Sequence, residues 1–488
     1  MNKNIYFYRI LILLLVGSGF SFAQELEAPA DILKAEFHKG RRNSLRQNLP
    51  PKSVAVFFAN PVRNRANDVE YVYHQDPNFY YLTGYNEPHA VLLIFKEDQQ
   101  KKDGTFYNEI IFVQPRNERA EMWTGKRLGE EGVISQLAFK EAFDNAKFAT
   151  YKLDFSTFDK VIFTDFHNDV RDDQRDEGDL YSLIEQFKIK VNYPGVKKSL
   201  EIEPKPANLD TKSLGAIMNN IRGIKTPEEI ELLKKAIKVS VVGQVEVMKA
   251  MKPGMSETEV QGIHEFVFKK FGSEYEGYPS IVGAGNNGCI LHYIVNQKPS
   301  ITDGELILMD LGAEYHGYTA DITRTIPVNG KFSPEQKSIY DLVYKAQQAA
   351  IDASKVGVTW KSTVEIARDI INQGLFELGI IASADAPHNY FPHGLGHHIG
   401  LDVHDKGNYD VFEPNMVFTV EPGIYIPEGS KCDEKWWRIA VRIEDDVMIG
   451  KDGNPILLSG YAPRTSEEIE KMMEQPSVLD DFVLPKLE

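Results

Sequence analysis

The sequence predicts an α+β chain with an N-terminal mixed α/β domain and a C-terminal domain of two related α+β halves. Short apolar runs rich in branched and aromatic residues alternate with helical segments over the first 200 residues. A proline-containing stretch follows, and a helix-start pattern then occurs twice, about a hundred residues apart. With 488 residues, 42% of them hydrophobic, the chain can bury a core in each domain.

The first 23 residues have the order of a signal peptide. Lys3 and Arg9 precede the apolar run Ile10 to Val16, and small residues follow at Ser21 and Ala23. We therefore expect residues 1–23 to be removed and the protein to be exported, as a periplasmic or secreted protein. An uncleaved anchor is the alternative, but the run is short for a membrane span, so no stable membrane anchor is expected.

Residues 24–204 form the predicted N-terminal domain. Helical segments are expected near 31–48 and 134–147, and strands at Val54–Phe58, Ala90–Phe95, Ile110–Val113 and Val161–Phe163. Residues 205–225 are the predicted linker, because Pro204 and Pro206 interrupt a stretch with no apolar period.

Residues 226–464 form the predicted C-terminal domain, and residues 465–488 a tail. Thr226-Pro-Glu-Glu229 provides a helix cap, a proline at the first helical position and an acid that completes a capping box. Ser333-Pro-Glu-Gln336 has the same features. Lys252-Pro-Gly254 and Lys355-Val-Gly357 each precede a second helix, so the two halves are expected to be related.

Charge and composition exclude several classes of protein. The formal net charge of −16 is opposite to that of a nucleic-acid-binding surface. The single strongly apolar run excludes a protein with several membrane spans. Two cysteines in 488 residues exclude a disulfide scaffold.

Four acids in the C-terminal domain are embedded in strand-like apolar text. Leu306–Met309 runs into Asp310, and Asp321 lies in the next run, so a hairpin closing at Tyr315 and His316 would place the two aspartates opposite each other. Glu421 and Glu444 follow similar runs. A buried carboxylate is costly unless it is compensated. Water at a strand end, or pairing with Arg324 or Arg442, could compensate one acid, whereas a multivalent cation would compensate all four.

Histidines cluster in the same domain. Five of the twelve lie between 388 and 404, in His388-Asn-Tyr-Phe-Pro-His393-Gly-Leu-Gly-His397-His398-Ile-Gly-Leu-Asp-Val-His404. Carboxylates with one or two imidazoles suit Mn²⁺, Co²⁺ or Zn²⁺. Four carboxylates exceed what one catalytic ion with an open position needs, so two ions and hydrolytic chemistry are predicted.

Together these motifs resemble the pita-bread dinuclear metallopeptidases, and most closely the aminopeptidase P family. The resemblance is carried by Asn287-Gly-Cys-Ile-Leu-His292-Tyr, Met309-Asp-Leu-Gly312, His393-Gly-Leu-Gly-His397, Leu401-Asp-Val-His404-Asp, Val420-Glu-Pro-Gly423 and Val441-Arg-Ile-Glu-Asp445. In the first domain, Asp76-Pro-Asn-Phe-Tyr-Tyr-Leu-Thr-Gly84 and Glu121-Met-Trp-Thr-Gly125 are similar to the family's N-terminal domain. The resemblance implies a pita-bread fold for residues 226–464.

The resemblance also implies roles for individual residues. Asp310 would chelate one ion, Asp321 and Glu444 would bridge both, and His397 and Glu421 would complete the other. The implied catalytic residues are His292, His404 and Glu421, and the implied substrate-binding residues are His292, His393, His404 and Arg442. His398 stands where the family pattern has a bulky apolar residue, which leaves two adjacent candidates for the imidazole ligand, and the step from His393 favours His397.

The implied function is that of a Xaa-Pro aminopeptidase, in which a metal-bridging hydroxide attacks the carbonyl that precedes proline. The expected cofactors are two divalent ions, Mn²⁺ first, with Co²⁺ or Zn²⁺ possible; the expected partners are proline-containing peptides, not nucleic acid. A dimer or tetramer is implied by the family. Prolidase activity on Xaa-Pro dipeptides is the nearest alternative, and a non-catalytic peptide-binding relative is the third.

Overall fold

The computed structural model describes residues 31–166, 176–193 and 207–481. From Leu33 onward the chain forms one compact unit. The predicted signal peptide, the start of the predicted linker and the last residues of the predicted tail lie outside the described ranges. The domain boundaries therefore stay predictions.

The N-terminal part is a mixed sheet with helices around it. Its strands are β1 (Ser53–Phe58), β2 (Asn64–Ala66), β3 (Val69–Glu70), β4 (Val91–Gln100), β5 (Phe106–Val113), β6 (Ala142–Asp144), β7 (Lys160–Ile162) and β8 (Leu209–Asp210). Its helices are α1 (Ala35–Asn48), α2 (Pro77–Thr83), α3 (Glu118–Thr124), α4 (Gly129–Gln136), α5 (Leu180–Lys190) and α6 (Ser213–Arg222). Among the described residues the main sheet has the order β6-β5-β4-β1-β7-β8.

The expected strands of this domain are all present, but the prediction of a helix near residues 134–147 is wrong. The segment 134–147 contains the end of α4, then the strand β6 and a 3₁₀ turn at Asn145–Phe148. Ala138 has a left-handed φ of 56°, which ends the helical run. Ala142 and Phe143 then pair in parallel with Ile111 and Phe112, so sheet pairing overrides the local helical preference.

The C-terminal part contains two helix pairs and the strands between and after them. The strands are β9 (Tyr275–Glu276), β10 (Ile281–Ala284), β11 (Leu306–Leu311), β12 (Ala313–Tyr315), β13 (Tyr318–Thr319), β14 (Ile322–Pro327), β15 (Val417–Val420), β16 (Gly423–Ile426), β17 (Ile439–Arg442), β18 (Asp445–Ile449) and β19 (Pro455–Leu457). The helices are α7 (Pro227–Ala250), α8 (Glu257–Lys270), α9 (Pro334–Ala353), α10 (Trp360–Glu377) and α11 (Ser466–Met473).

The two halves of this domain begin in the same way, which confirms the predicted repeat. Thr226 caps α7 and Ser333 caps α9, each with a complete capping box and a proline in the first turn. Each long helix is followed by a second helix and by antiparallel strands. One continuous apolar core is shared by the halves, with Met309 and Val343 fully buried in it.

The hairpin that carries Asp310 and Asp321 forms, but its register differs from the prediction. The turn lies at His316 and Gly317, with φ of 50° and 82°, instead of one residue earlier. Two positive φ values are typical of the hairpin turn that favours glycine in second place. Asp310 consequently pairs with Thr323, and Asp321 lies diagonally from it on the same face.

Two further segments bear on the predicted boundaries. The predicted linker 205–225 includes α6, and the predicted tail includes α11, whose Ile469 is buried in the shared core. Within the described ranges, no helix is long and apolar enough to cross a membrane.

Candidate metal centre

The first half of the C-terminal domain contributes Asp310 and Asp321. Asp310 lies near the end of β11, and Asp321 comes immediately before β14. The Tyr278 hydroxyl lies 2.6 Å from Oδ1 of each aspartate. A phenol has one proton to donate, so both oxygens must compete for it. The two carboxyl groups are thus close enough to contact the same hydroxyl group.

The second half contributes Glu421 and Glu444. Glu421 follows β15, and Glu444 lies between β17 and β18. The Thr323 hydroxyl donates to Oε2 of Glu444 at 2.6 Å, and the Glu444 amide donates to the Thr323 carbonyl at 3.1 Å. Since Thr323 is on β14, these bonds bring Glu444 against the strand that follows Asp321.

His397 faces this carboxylate cluster. Its Nε2 lies 3.4 Å from Oδ2 of Asp321 and 3.6 Å from Oε1 of Glu421. Its Nδ1 lies 3.1 Å from the carbonyl oxygen of His398. That contact favours the tautomer with the proton on Nδ1, which leaves the Nε2 lone pair directed at the cluster.

His398, the adjacent candidate, points elsewhere. Its Nε2 contacts the Asn408 carbonyl at 2.9 Å, and its ring stacks on Trp360. Burial lowers the pKa of His398 to about 4, so it is a neutral core side chain. The structure therefore places His397, and not His398, beside the acids.

Burial and mutual repulsion act on the acids themselves. Burial raises the pKa values of Asp321 and Glu444 well above their usual range, and the charges of Asp310 and Asp321, respectively, raise them further. Burial also raises the pKa of Glu421 to about 7. Bound cations would therefore favour the charged forms of these three acids.

Arg442 supplies a positive charge to this cluster. Its Nη2 donates to Oδ2 of Asp310 at 2.6 Å, and its Nη1 donates to the Tyr425 hydroxyl at 2.9 Å. The pairing of one acid with Arg442, considered from the sequence, is therefore present. Arg324 instead pairs with Asp445, so the other three acids of the cluster receive no ion pair from it.

His393 is held at the edge of the cluster. Its Nε2 contacts the Tyr425 hydroxyl at 2.8 Å, and its Nδ1 lies 2.8 Å from the Gly394 carbonyl and 3.7 Å from Oε2 of Glu421. Burial, assisted by the charge of Arg442, lowers the pKa of His393 to about 4. His393 is therefore a neutral imidazole whose orientation is fixed by contacts at both ring nitrogens.

His404 and His292 lie on the exposed side. The His404 ring is 4.2 Å from that of His397, centroid to centroid. Burial lowers the pKa of His404, and the nearby His397 and His292 lower it further. All nine predicted site residues therefore belong to one region, with both of these histidines exposed at its rim.

Three contact residues were not predicted from the sequence: Tyr278, Thr323 and Tyr425. Strand alternation offers a signal for Thr323, which lies two residues after Asp321 and so shares its face. Tyr278 precedes the short strand β10 and has no such periodic signal. Only the folded chain brings it to Asp310.

The donor set fits divalent cations. Asp321, His397 and Glu444 each offer a ligand atom, and these atoms all lie within 4.8 Å of one another. Asp310 adjoins Asp321 through Tyr278, and Glu421 adjoins His397, so the cluster extends to both sides. Carboxylate oxygens with an imidazole nitrogen suit Mn²⁺, Co²⁺ or Zn²⁺, and a bound cation would favour the charged forms of Asp321, Glu421 and Glu444, whose pKa values burial raises.

Known proteins are similar in sequence to this chain over nearly its full length. Residues 231–451 match metallopeptidase family M24, and residues 38–161 match the N-terminal domain of aminopeptidase P. A Xaa-Pro aminopeptidase of Haemophilus influenzae is 36% identical over 466 residues, which cover 92% of this chain and 99% of the relative. The chain belongs to the aminopeptidase P family of M24 metallopeptidases.

Other relatives agree with this membership. The Xaa-Pro aminopeptidase of Escherichia coli is 35% identical, with 91% of this chain and 98% of that protein covered. The structure of aminopeptidase P from E. coli with the inhibitor Pro-Leu superposes with a TM-score of 0.79 at 32% identity, covering 91% of this chain and 98% of that one. The expected pita-bread fold and the expected class, a metal-dependent exopeptidase, are confirmed, and prolidase is not favoured.

Proposed function

We propose that this member of the aminopeptidase P family hydrolyses the bond between an N-terminal residue and a following proline, using two divalent ions, Mn²⁺ first among the candidates. The observation that carries the proposal is the convergence of Asp310, Asp321, His397, Glu421 and Glu444, drawn from both halves of the domain, on one site. Ions at this site supply Lewis-acid polarisation of a carbonyl and a nucleophile near neutral pH.

The residues around the ligands set the geometry for this chemistry. Arg442 holds Oδ2 of Asp310, the Tyr278 hydroxyl contacts its Oδ1, and Thr323 holds Oε2 of Glu444, so both carboxylates have fixed orientations in the cluster. The Nδ1 contact of His397 orients its Nε2 toward the same cluster. Ligands held in this way need little rearrangement when ions and substrate bind.

Glu421 is the proposed proton carrier to the leaving nitrogen. Its side chain is 19% exposed, compared with 7% for Asp321 and 11% for Asp310, so it is the carboxylate most open to a ligand. Its two oxygens face His397 and His393. A carboxylate between a metal ligand and a substrate-side histidine is well placed to move a proton between them.

Histidines on the open side are proposed to contact the peptide. His404 and His292, on the exposed rim, would stabilise the oxyanion that forms at the carbonyl before proline. His393 and Arg442 would line the pocket. The bond to proline is a tertiary amide with a ring in place of N–H, so selection depends on shape more than on a hydrogen bond to that nitrogen.

The experiment that tests this function compares Arg-Pro-Pro with Gly-Pro as substrates, with metal analysis of the same sample. We expect release of arginine from the tripeptide by Mn²⁺-loaded protein, and weaker cleavage of the dipeptide. Cleavage of the dipeptide alone would establish prolidase activity instead. No hydrolysis by Mn²⁺-, Co²⁺- or Zn²⁺-loaded protein, across several peptide lengths, would support the peptide-binding alternative.

Export and assembly are part of the same proposal. The order of charged, apolar and small residues in 1–23 supports cleavage there and a periplasmic or secreted enzyme. N-terminal sequencing of protein from the exported fraction should begin at Gln24; an intact N-terminus would contradict cleavage. Light scattering should give the mass of a dimer or tetramer, and a monomer at assay concentration would contradict assembly.

A further inference from the structure

Two buried glutamines occupy equivalent places in the two halves of the C-terminal domain. Gln244 lies on α7, Gln347 lies on α9, and neither side chain is exposed to solvent. α7 and α9 are the helices that open each half with a capping box. A buried amide group is normally satisfied by hydrogen bonds, so the partners of these two side chains reveal what they hold.

Gln244 spans the hairpin of the first half. Its Nε2 donates to the Met309 carbonyl at 3.1 Å and to the Ile322 carbonyl at 2.8 Å. The Met309 carbonyl belongs to the peptide group that leads into Asp310. The Ile322 carbonyl directly follows Asp321 and leads into Thr323. One amide thus fixes the backbone beside both aspartates.

Gln347 makes the corresponding contacts in the second half. Its Nε2 lies 3.0 Å from the Val420 and Ile443 carbonyls and 3.0 Å from Oδ2 of Asp445, so its two N–H groups are shared among three acceptors, two of them backbone carbonyls. These two carbonyls belong to the peptide groups that lead into Glu421 and Glu444. As in the first half, one amide joins two segments at the residues that bear the acids.

The acceptors determine the orientation of both amides. Four of the contacts are to carbonyl oxygens, which only accept hydrogen bonds, so each amide must present its NH2 group and not its oxygen to them. Arg464 donates to Oε1 of Gln347 at 2.9 Å, which fixes that amide from its other side. Oε1 of Gln244 has no such partner among the described residues, so its two donated bonds alone fix it.

We propose that Gln244 and Gln347 are positioning residues for the metal centre, each setting the distance between the two carboxylates of its half. This inference rests on the proposed function, because it assumes that the four acids bind ions together. The alternative is that the glutamines only stabilise the fold. Both explanations predict lower stability without the amide, but only positioning predicts a selective loss of metal affinity.

The test measures Mn²⁺ binding by full-length protein that has first been freed of metal. Gln244→Met and Gln347→Met remove the amide while keeping a long unbranched side chain. Val247→Ala and Val343→Ala are the controls, since these valines are fully buried on the same two helices and have no polar group. Isothermal titration calorimetry gives the Kd, and thermal unfolding of the metal-free protein gives the stability of each variant.

We expect each glutamine variant to raise the Kd for Mn²⁺ by about 10- to 100-fold, as loss of residues that orient ligands does elsewhere. The valine controls should keep a Kd near that of the wild type despite a comparable decrease in Tm. Glutamine variants whose Kd changes no more than that of the controls would overturn the inference. Gln244→Asn and Gln347→Asn, which withdraw the amide by one methylene, replace any methionine variant that does not unfold cooperatively.

Measurements on the wild-type protein distinguish failure of the positioning role from failure of the proposed function. Wild-type protein that binds Mn²⁺ and hydrolyses Arg-Pro-Pro, beside unaffected glutamine variants, would contradict only the positioning role. Wild-type protein that binds no Mn²⁺ would overturn both.

Discussion

Nη2 of Arg442 lies 2.6 Å from Oδ2 of Asp310, and this ion pair joins the two halves of the C-terminal domain. Both side chains are almost completely buried, with exposures of 4% and 11%. Asp310 comes from the hairpin of the first half and Arg442 from a strand of the second. The pair therefore holds Asp310, a predicted metal ligand of the first half, against a strand of the second half.

Arg442→Lys should lower kcat/KM by about 10- to 100-fold while retaining bound metal. Lysine keeps the positive charge but cannot contact Asp310, Tyr425 and Thr323 through separate nitrogens as arginine does. Steady-state kinetics on Arg-Pro-Pro with metal analysis measures both quantities. Arg438→Lys, at an exposed pair with Glu428, is the control. Kinetics of Arg442→Lys within twofold of the control would contradict this role.

Removal of divalent ions should lower the Tm by several degrees, and Mn²⁺ should restore it. In the metal-free protein, burial and the neighbouring acids disfavour the charged forms of Asp321 and Glu444, and ions that bind only the folded state stabilise it. Thermal unfolding of chelator-treated protein, with and without added Mn²⁺, measures the shift. Equal Tm values at millimolar Mn²⁺ would contradict ion binding at these acids.

In the metal-free protein the raised pKa values of Asp321 and Glu444 favour folding at lower pH, whereas the contribution of His264 to folding stability should fall as the pH is lowered from 7.5 to 5.5. This residue is fully buried, and burial lowers its pKa from 6.5 to about 3. Between these values the unfolded chain binds the proton and the folded chain does not. The contribution of neutral His264 to the free energy of unfolding is therefore complete above pH 6.5 and is lost progressively toward pH 3.

His264→Gln should reduce that loss by about 1 kcal/mol at pH 5.5, as the shift of the pKa implies. Glutamine does not titrate and can still reach Ser280, which lies 2.9 Å from Nε2 of His264. Urea unfolding of metal-free protein at both pH values gives the free energies. An identical pH dependence in wild type and variant would show that His264 does not contribute.

Much of the centre could be predicted because its signals are local. Asp310 and Glu421 each end an apolar strand, where a carboxylate has no place in an ordinary core. The repeated capping boxes at Thr226 and Ser333 fix where each half begins. Local patterns of this kind survive in the fold because tertiary packing agrees with them.

Other features depend on packing between distant segments. The step from His393 favours His397 over His398, but only the folded chain shows that His397 faces the acids while His398 stacks on Trp360. The hairpin register depends on which residues adopt positive φ. Because the turn lies one residue later than predicted, Asp310 pairs with Thr323 instead of Asp321. The contacts of Gln244 join α7 to strand residues 65 and 78 positions later in the chain, which no local pattern predicts.

The central proposal is that two divalent ions would bind between the halves and that Asp321 would be a ligand to both. Asp321→Ala should therefore bind at most one Mn²⁺ per chain, where the wild type binds two, and should hydrolyse Arg-Pro-Pro at least about 1000-fold more slowly. Asp303→Ala, which removes an exposed acid ahead of β11, is the control. Metal analysis and the rate are taken from one sample of each protein. A variant that retains two ions and the wild-type rate would contradict the account.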